Sequence, residues 1–346
     1  MKKVLVFGLI IRLICLYLFR NVSNYDLQSY LQIGELTLKG INIYPNVANL
    51  HHPYLPFFLY VEAFAFWLGQ SRIIIIIIIK FINIILDLGI LYLVYLLSKK
   101  NLKTTFLYAI NPVTILITTL HGQFDVIPIF FALLAIYLIQ KKKELASILS
   151  FSFAILTKTW PVLFLIPIAQ RIKSKSLLPL IIIFPVVFMF IYVYLFKSSL
   201  LSIGETLLSY QGLWGIWGIW NLLGKQRILI QKLSTLIFLS CFFSYSWFNK
   251  ERNIIKNILN LLFFFFIFTT NFSIQYFAWI IPFLIILKPK NYSTLIILIT
   301  LYLISFYFVW VFLLITPQWL IIIQNAIGFV LWLSFIKVGY LSRKIS

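Results

Sequence analysis

Acidic side chains are scarce in this chain: eight Asp and Glu stand against 29 Lys and Arg in 346 residues, and charged residues of either sign make up only 11%. With 62% hydrophobic residues and a mean hydropathy of +1.02, so little charge excludes a soluble globular domain and points to an integral membrane protein. There are two cysteines, Cys15 and Cys241, and both fall inside apolar runs, which excludes a disulfide framework. Also missing are a zinc-ligand spacing, a Ser/His/Asp triad, a phosphate-cradling glycine loop and a dinucleotide fingerprint. The net charge of +21 would suit nucleic acid if it were spread over a surface. It sits instead in short clusters between apolar runs, the pattern of cytoplasmic loops, so nucleic acid is not expected as a partner.

What is present is a succession of apolar runs. Spans are expected at about 3–20, 73–98, 104–120, 124–140, 144–157, 160–170, 177–196, 226–248, 254–271, 274–288, 291–314 and 317–339. The first has basic flanks and no small-residue cleavage site, so it reads as a retained span. The fold class is all-α, a polytopic transmembrane helix bundle of about 11–13 membrane segments forming a single integral membrane domain over 1–346. The fifth and sixth runs are short and read as halves of a broken element meeting near Lys158 and Pro161, and Tyr54 to Leu68 reads as re-entrant or peripheral. On that assignment Lys99, Lys100, Lys141 to Lys143, Arg171, Lys173, Lys175 and the later clusters share the side of both termini, which predicts a plasma-membrane protein with cytoplasmic ends.

The opposite, extracytoplasmic side then collects the remaining polar segments. The first large loop, 21–72, opens with a predicted interfacial amphipathic helix: Leu27, Tyr30, Leu31, Gly34 and Leu38 on one face, Gln28, Gln32, Glu35 and Lys39 on the other, Ser23 or Asn24 at the start and Gly40 at the end. Asp26 falls in its first turn, where unpaired amides favour a carboxylate, and is the predicted catalytic residue. His51 and His52, then His121, Gln123 and Asp125 of His121-Gly122-Gln123-Phe124-Asp125, Lys158, and Gln275 and Tyr276 are expected to converge with Asp26 and Glu35 as substrate-binding groups. A His, an amide and a carboxylate within five residues suit a polyhydroxylated ligand, and a lysine in an apolar stretch needs a wet cavity or an anion beside it. Asp26, His121 and one of His51 and His52 are the groups that could gather a divalent cation; no metal site is assigned. Lys80, Asn83 and Asp87 share one face of the second span, where Lys80 and Asp87 are expected to form or bridge a structural ion pair. In the second large loop, 197–225, Trp214, Trp217 and Trp220 alternate with Gly212, Gly215 and Gly218, either as an aromatic belt at the interface or as a platform for a sugar or isoprenoid chain.

Taken in order, these residues resemble the C-type glycosyltransferases, polytopic enzymes that use polyprenyl-phosphate sugars, and within them GPI mannosyltransferase I and the prokaryotic polyprenol-phosphate-mannose-dependent mannosyltransferases. Asp26, Tyr30, Gly40 and Tyr44 match the acidic first loop of that family, and Asn111-Pro112, His121 to Asp125, Lys158 with Trp160-Pro161, and Gln275-Tyr276-Phe277 with Trp279 are similar to its later motifs. Its Asp-x-Asp is Asn24-Tyr25-Asp26 here, and its Ser-Arg-Gly-Asn is absent. The resemblance implies an inverting glycosyltransferase, in particular a mannosyltransferase, with a polyprenyl-phosphate sugar as donor, a lipid-linked glycan as acceptor, membrane lipid around it and room for a small membrane subunit. A lipid-linked sugar flippase and a noncatalytic membrane subunit are the rival expectations, though no inverted repeat is visible.

Overall fold

A computed structural model of the chain describes residues 1–209, 213–214, 217–221, 231–249, 251–313 and 317–344. It is 80% helical, with 17 α-helices and one two-residue strand pair among the described residues. Four helices are long and apolar enough to cross a membrane: Arg72–Leu97, Lys175–Phe196, Tyr292–Phe312 and Gln318–Arg343. Shorter apolar helices accompany them. Contacts divide the expected single domain into two compact units, Met1–Leu165 with Ala169–Tyr210, and Ile166–Ile168 with Gln211–Ser346.

The first unit runs α1 (Lys2–Leu18), α2 (Tyr25–Leu38), α3 (Ala48–His51), α4 (Phe58–Leu68), α5 (Arg72–Leu97), α6 (Leu102–Ala109), α7 (Pro112–Ile115), α8 (Val126–Gln140) and α9 (Glu144–Thr157). It continues through α10 (Leu165–Arg171), which the division of the chain crosses, to α11 (Leu180–Phe196) and α12 (Leu200–Ser209). The run expected at 104–120 is broken because Asn111 caps a new helix, accepting from the amides of Val113 and Thr114, and Pro112 occupies its first position. That helix passes into a π-helical turn, Leu116–His121, which ends on Gly122 with φ +77°. α9 stops at Thr157, Lys158 is extended, and a 3-10 turn spans Trp160–Phe164, so the chain does break near Lys158 and Pro161.

α2 forms where its pattern predicts, with Asn24 as the cap: its Oδ1 accepts from Leu27 N at 2.9 Å. Its buried face is turned from the predicted one. Leu27, Ser29, Tyr30, Ile33, Gly34 and Thr37 are buried, while Leu38 is exposed. Packing against α4 explains the rotation, since Gly34 lies so close to the Glu62 carbonyl that a Cβ would meet the oxygen at 2.7 Å. The chain after α2 is folded just as firmly. Tyr192 on α11 donates to Asn42 Oδ1 and accepts from Ile43 N, both at 3.1 Å, and Tyr44 donates to Tyr54 O at 2.7 Å.

Two buried polar contacts brace the helices beneath this loop. Arg12 on α1 meets Asp87 on α5 at 2.6 Å, and Tyr108 on α6 donates to the other oxygen of Asp87 at 2.6 Å. The expected Lys80–Asp87 pair does not form, because Arg12 occupies the carboxylate; Lys80 instead donates to Phe19 O at 3.0 Å.

The second unit comprises α13 (Gln231–Phe248), α14 (Ile254–Phe268), α15 (Phe277–Leu287), α16 (Tyr292–Tyr307) and α17 (Gln318–Lys344), and pairs Leu213–Trp214 antiparallel with Asn271–Phe272. Trp217 is buried in its aromatic core, stacked on Phe272 at 4.3 Å and donating to Phe266 O at 2.6 Å, so it is neither an exposed platform nor an interfacial belt residue. Gly218, with φ +59°, clears the Trp332 indole, whereas Gly212 and Gly215 lie outside the described residues.

The two glycine environments predict opposite outcomes. Gly34→Ala should destabilise by about 1–3 kcal/mol, the usual cost of overpacking against a surface that cannot yield. Gly204→Ala on α12, where a Cβ would meet nothing within 4 Å, should stabilise by about 0.5–1 kcal/mol. Thermal unfolding in detergent distinguishes them, and shifts of the same sign would contradict the packing described.

Candidate functional site

The polar centre of the first unit is assembled from three stretches of chain. The start of α2 supplies Asn24, Asp26 and Tyr30; the turn after the π-helix supplies His121, Gln123 and Asp125; the break after α9 supplies Lys158. Asn24 uses both ends of its amide: Oδ1 caps α2, while Nδ2 donates to His121 O at 2.8 Å. Asn83 on α5 donates to Gly122 O at 3.1 Å, fixing the same turn from the other side. Gly122 is needed there twice over, for its positive φ and because a Cβ would meet Leu27 Cδ2 at 2.8 Å.

Two donors converge on one oxygen of Asp26. His121 Nε2 lies 2.9 Å from Oδ2, and Gln123 Nε2 donates to the same oxygen at 2.6 Å. A carboxylate can only accept, so His121 carries a hydrogen on Nε2. The other carboxylate oxygen, Oδ1, has no hydrogen-bond partner among the described residues, and the Asp26 side chain is 34% exposed against 8% for His121. One edge of the carboxylate is thus held and the other is open.

Gln123 is oriented from behind. Its Oε1 accepts from Tyr30 OH at 3.0 Å and from Lys158 Nζ at 3.3 Å, two donors that force the amide nitrogen toward Asp26. Lys158 also pairs with Asp125 Oδ2 at 2.7 Å, with side-chain exposures of 6% and 0%. Its ammonium lies over the rings of Phe124 and Tyr54, 4.4 and 5.0 Å from the centroids. The lysine expected to face an anionic ligand is therefore built into the site as the counter-ion of Asp125 and a positioning group for Gln123.

Burial alone would raise the pKa of Asp26, but the hydrogen bond and charge of His121, the hydrogen bond from Gln123 and the charge of Lys158 outweigh it and hold the carboxyl below its ordinary value of 3.8. A lowered folded value means that the stabilisation from ionised Asp26 is complete above the unfolded carboxyl's titration and is lost as pH falls through the folded value. Burial, followed by the charge of Asp26, pushes the Tyr30 phenol well above its ordinary range, so it stays a neutral donor.

The other predicted residues lie elsewhere. Glu35 is on the far face of α2, in an exposed pair with Lys39 at 2.5 Å, because nine residues of helix turn it away from Asp26. His51 is half-buried, stacked on Tyr25 and bonded through Nδ1 to Ser29 Oγ at 2.7 Å. His52 is wholly buried, 3.5 Å from the equally buried Glu62. Of the groups named as possible cation ligands, Asp26 and His121 meet but neither His51 nor His52 joins them, and no group of three His, Cys, Asp or Glu side chains is placed to hold a metal among the described residues. Gln275, which accepts from Ser273 Oγ, and Tyr276, stacked on Trp279 at 4.2 Å, belong to the second unit.

Asn24, Asn83, Tyr54 and Phe124 were not predicted as site residues. The signal for Asn24 was present in its position as a helix cap two residues before the acid; the ring contacts of Tyr54 and Phe124 depend on tertiary packing and leave no periodic trace. No protein-family model, curated protein or solved structure matches the chain.

Lys158→Met should destabilise the protein by about 3–5 kcal/mol by stranding buried Asp125, and Asp125→Asn in the same chain should recover most of that loss. Unfolding of the single and double variants in one detergent checks this; strictly additive losses would contradict the pairing.

Proposed function

We propose that this protein is an inverting glycosyltransferase, in particular a mannosyltransferase, that moves a sugar from a polyprenyl-phosphate donor to a lipid-linked glycan acceptor at the extracytoplasmic face of the plasma membrane. It does so within a bundle of about 11–13 membrane segments whose N- and C-termini are cytoplasmic. The observation that carries this reading is the half-open Asp26 carboxylate: two donors on Oδ2, none on Oδ1, and a folded environment that keeps it ionised.

The chemistry follows from that asymmetry. Oδ1 takes the proton of an acceptor hydroxyl as the hydroxyl oxygen attacks the anomeric carbon from the side opposite the lipid phosphate. The new glycosidic bond forms, the bond to the phosphate oxygen breaks, and the phosphate leaves with that electron pair. A base of low pKa suffices because the hydroxyl becomes strongly acidic only as the bond to carbon forms. His121 and Gln123 hold Oδ2 so that the reactive edge is presented in one orientation. Lys158, engaged with Asp125 and Gln123, acts through position, which leaves the offset of phosphate charge to a histidine; His51, half-buried beside Tyr25, is the one with access.

A flippase is the alternative reading; carriers of lipid-linked sugars are commonly built from inverted repeats, and none is visible in this sequence. Asp26→Asn keeps the shape and the bond to His121 only in a flipped amide, and it removes the base. It should lower transfer from a polyprenyl-phosphate sugar to background, at least 100-fold. The wild-type enzyme should keep its Asp26-dependent activity as pH falls toward the ordinary carboxylate value of 3.8. Full turnover by Asp26→Asn, or an Asp26-dependent loss near neutral pH, would refute the assignment; lipid movement without a new glycosidic bond would favour the flippase.

A further inference from the structure

The outward face of α2 borders a second polar feature, separate from the Asp26 cluster. Gln28, Gln32 and Glu35, one and two turns apart, form one wall of a groove of about 570 Å³, and Gln70, Ser71 and Arg72 at the junction of α4 with α5 form the other. That volume falls within the range of small-molecule sites. Its lining carries one acid and one base, but the acid is engaged outside the groove. Glu35 is already paired with Lys39 at 2.5 Å, whereas the Arg72 guanidinium has neither a carboxylate nor a hydrogen-bond acceptor among the described residues. What remains is one guanidinium with three carboxamides lining a shared space, those of Gln32 and Gln70 and that of Gln28, which already donates to Ser23 Oγ.

The surroundings restrict what can fill it. Arg72 is the first residue of a helix apolar and long enough to span a membrane, and the flanking Trp67, Leu68, Ile73 and Ile74 are exposed. A guanidinium matches the paired oxygens of a phosphate, carboxamides reach its remaining oxygens or neighbouring hydroxyls, and exposed apolar side chains suit hydrocarbon. A free anion would leave that apolar border unused. A neutral headgroup would leave the cation unmatched, and a zwitterionic one brings its own cation.

We propose that this groove binds the phosphate headgroup of an anionic membrane lipid, with its chains along Trp67, Ile73 and Ile74. The inference does not rest on sugar transfer: it concerns the face of α2 opposite Asp26 and is read by binding, so it can fail while the enzymatic reading stands, and the reverse.

The test is retention of lipid by the purified full-length chain in native mass spectrometry, with phosphatidylglycerol, a polyprenyl phosphate, phosphatidylcholine and inorganic phosphate offered separately. The wild-type chain should retain phosphatidylglycerol or the polyprenyl phosphate in preference to phosphatidylcholine and inorganic phosphate, and the tighter of the two identifies the source of the headgroup. Arg72→Gln should weaken that retention about tenfold, the effect of one charge-assisted hydrogen bond. Arg20→Gln, which alters an exposed arginine bonded to Tyr17 O, should leave it unchanged. Should Arg72→Gln fail to fold, Gln32→Leu should weaken retention by two-fold or more. Undiminished retention in the folded Arg72→Gln or Gln32→Leu chain, equal loss from Arg20→Gln, or no preference for the anionic lipids would overturn the proposal.

Discussion

The carboxamide of Gln123 is the contact through which the parts of the site act on one another. Its oxygen accepts from Tyr30 on α2 and from Lys158 in the break after α9, and an ammonium has no acceptor to offer a turned-over amide. The nitrogen is thereby aimed at Asp26, and the carboxylate is held by the edge opposite the one to which the proposed chemistry is assigned. Lys158 and Asp26 thus fix the amide from both ends, one able only to donate and the other only to accept. A single side chain of no charge thus converts the burial of a distant lysine into the orientation of the proposed base.

The lysine shows how an ion in an apolar setting can be structural and still matter to function. Taking Lys158 and Asp125 out of water is costly, and their mutual attraction offsets that only because geometry and additional partners are good. Here the ammonium has a carboxylate at 2.7 Å, an amide oxygen and two aromatic faces. Such a pair tolerates little displacement, which suits a group that fixes the orientation of something else. Arg12, Asp87 and Tyr108 do comparable work among α1, α5 and α6, and the turn carrying His121 rests on α5 through Asn83.

Much of this was legible in the sequence, for identifiable reasons. Apolar runs and their breaks at Asn111-Pro112 and Lys158 to Pro161 mark helices because a cap and a proline act locally. Asp26, His121, Gln123, Asp125 and Lys158 could be grouped because scarce polar residues in an apolar chain must find one another. The errors arose where packing decides. The face that α2 buries follows from the approach of Gly34 to α4, which no periodicity states. Arg12 lies inside an apolar run that gives no sign of a partner on another helix, so its pairing with Asp87 emerges only from packing. Glu35 lies on the same short helix as Asp26, but helical phase sets the two on different faces. Trp217 looked like a surface residue because its glycine neighbours suggested a loop, yet its indole fills a core.

The most direct measurement is an isotope-edited infrared titration of the Asp26 carboxyl, in the wild-type protein and in Gln123→Leu. If the amide holds the ionised form as described, the wild-type midpoint lies below 3.8 and moves upward when the amide is removed, because burial then acts against fewer donors. A wild-type midpoint above the ordinary carboxylate value, or one indifferent to Gln123, would mean that Asp26 is not the oriented, ionised base on which the proposed reaction depends.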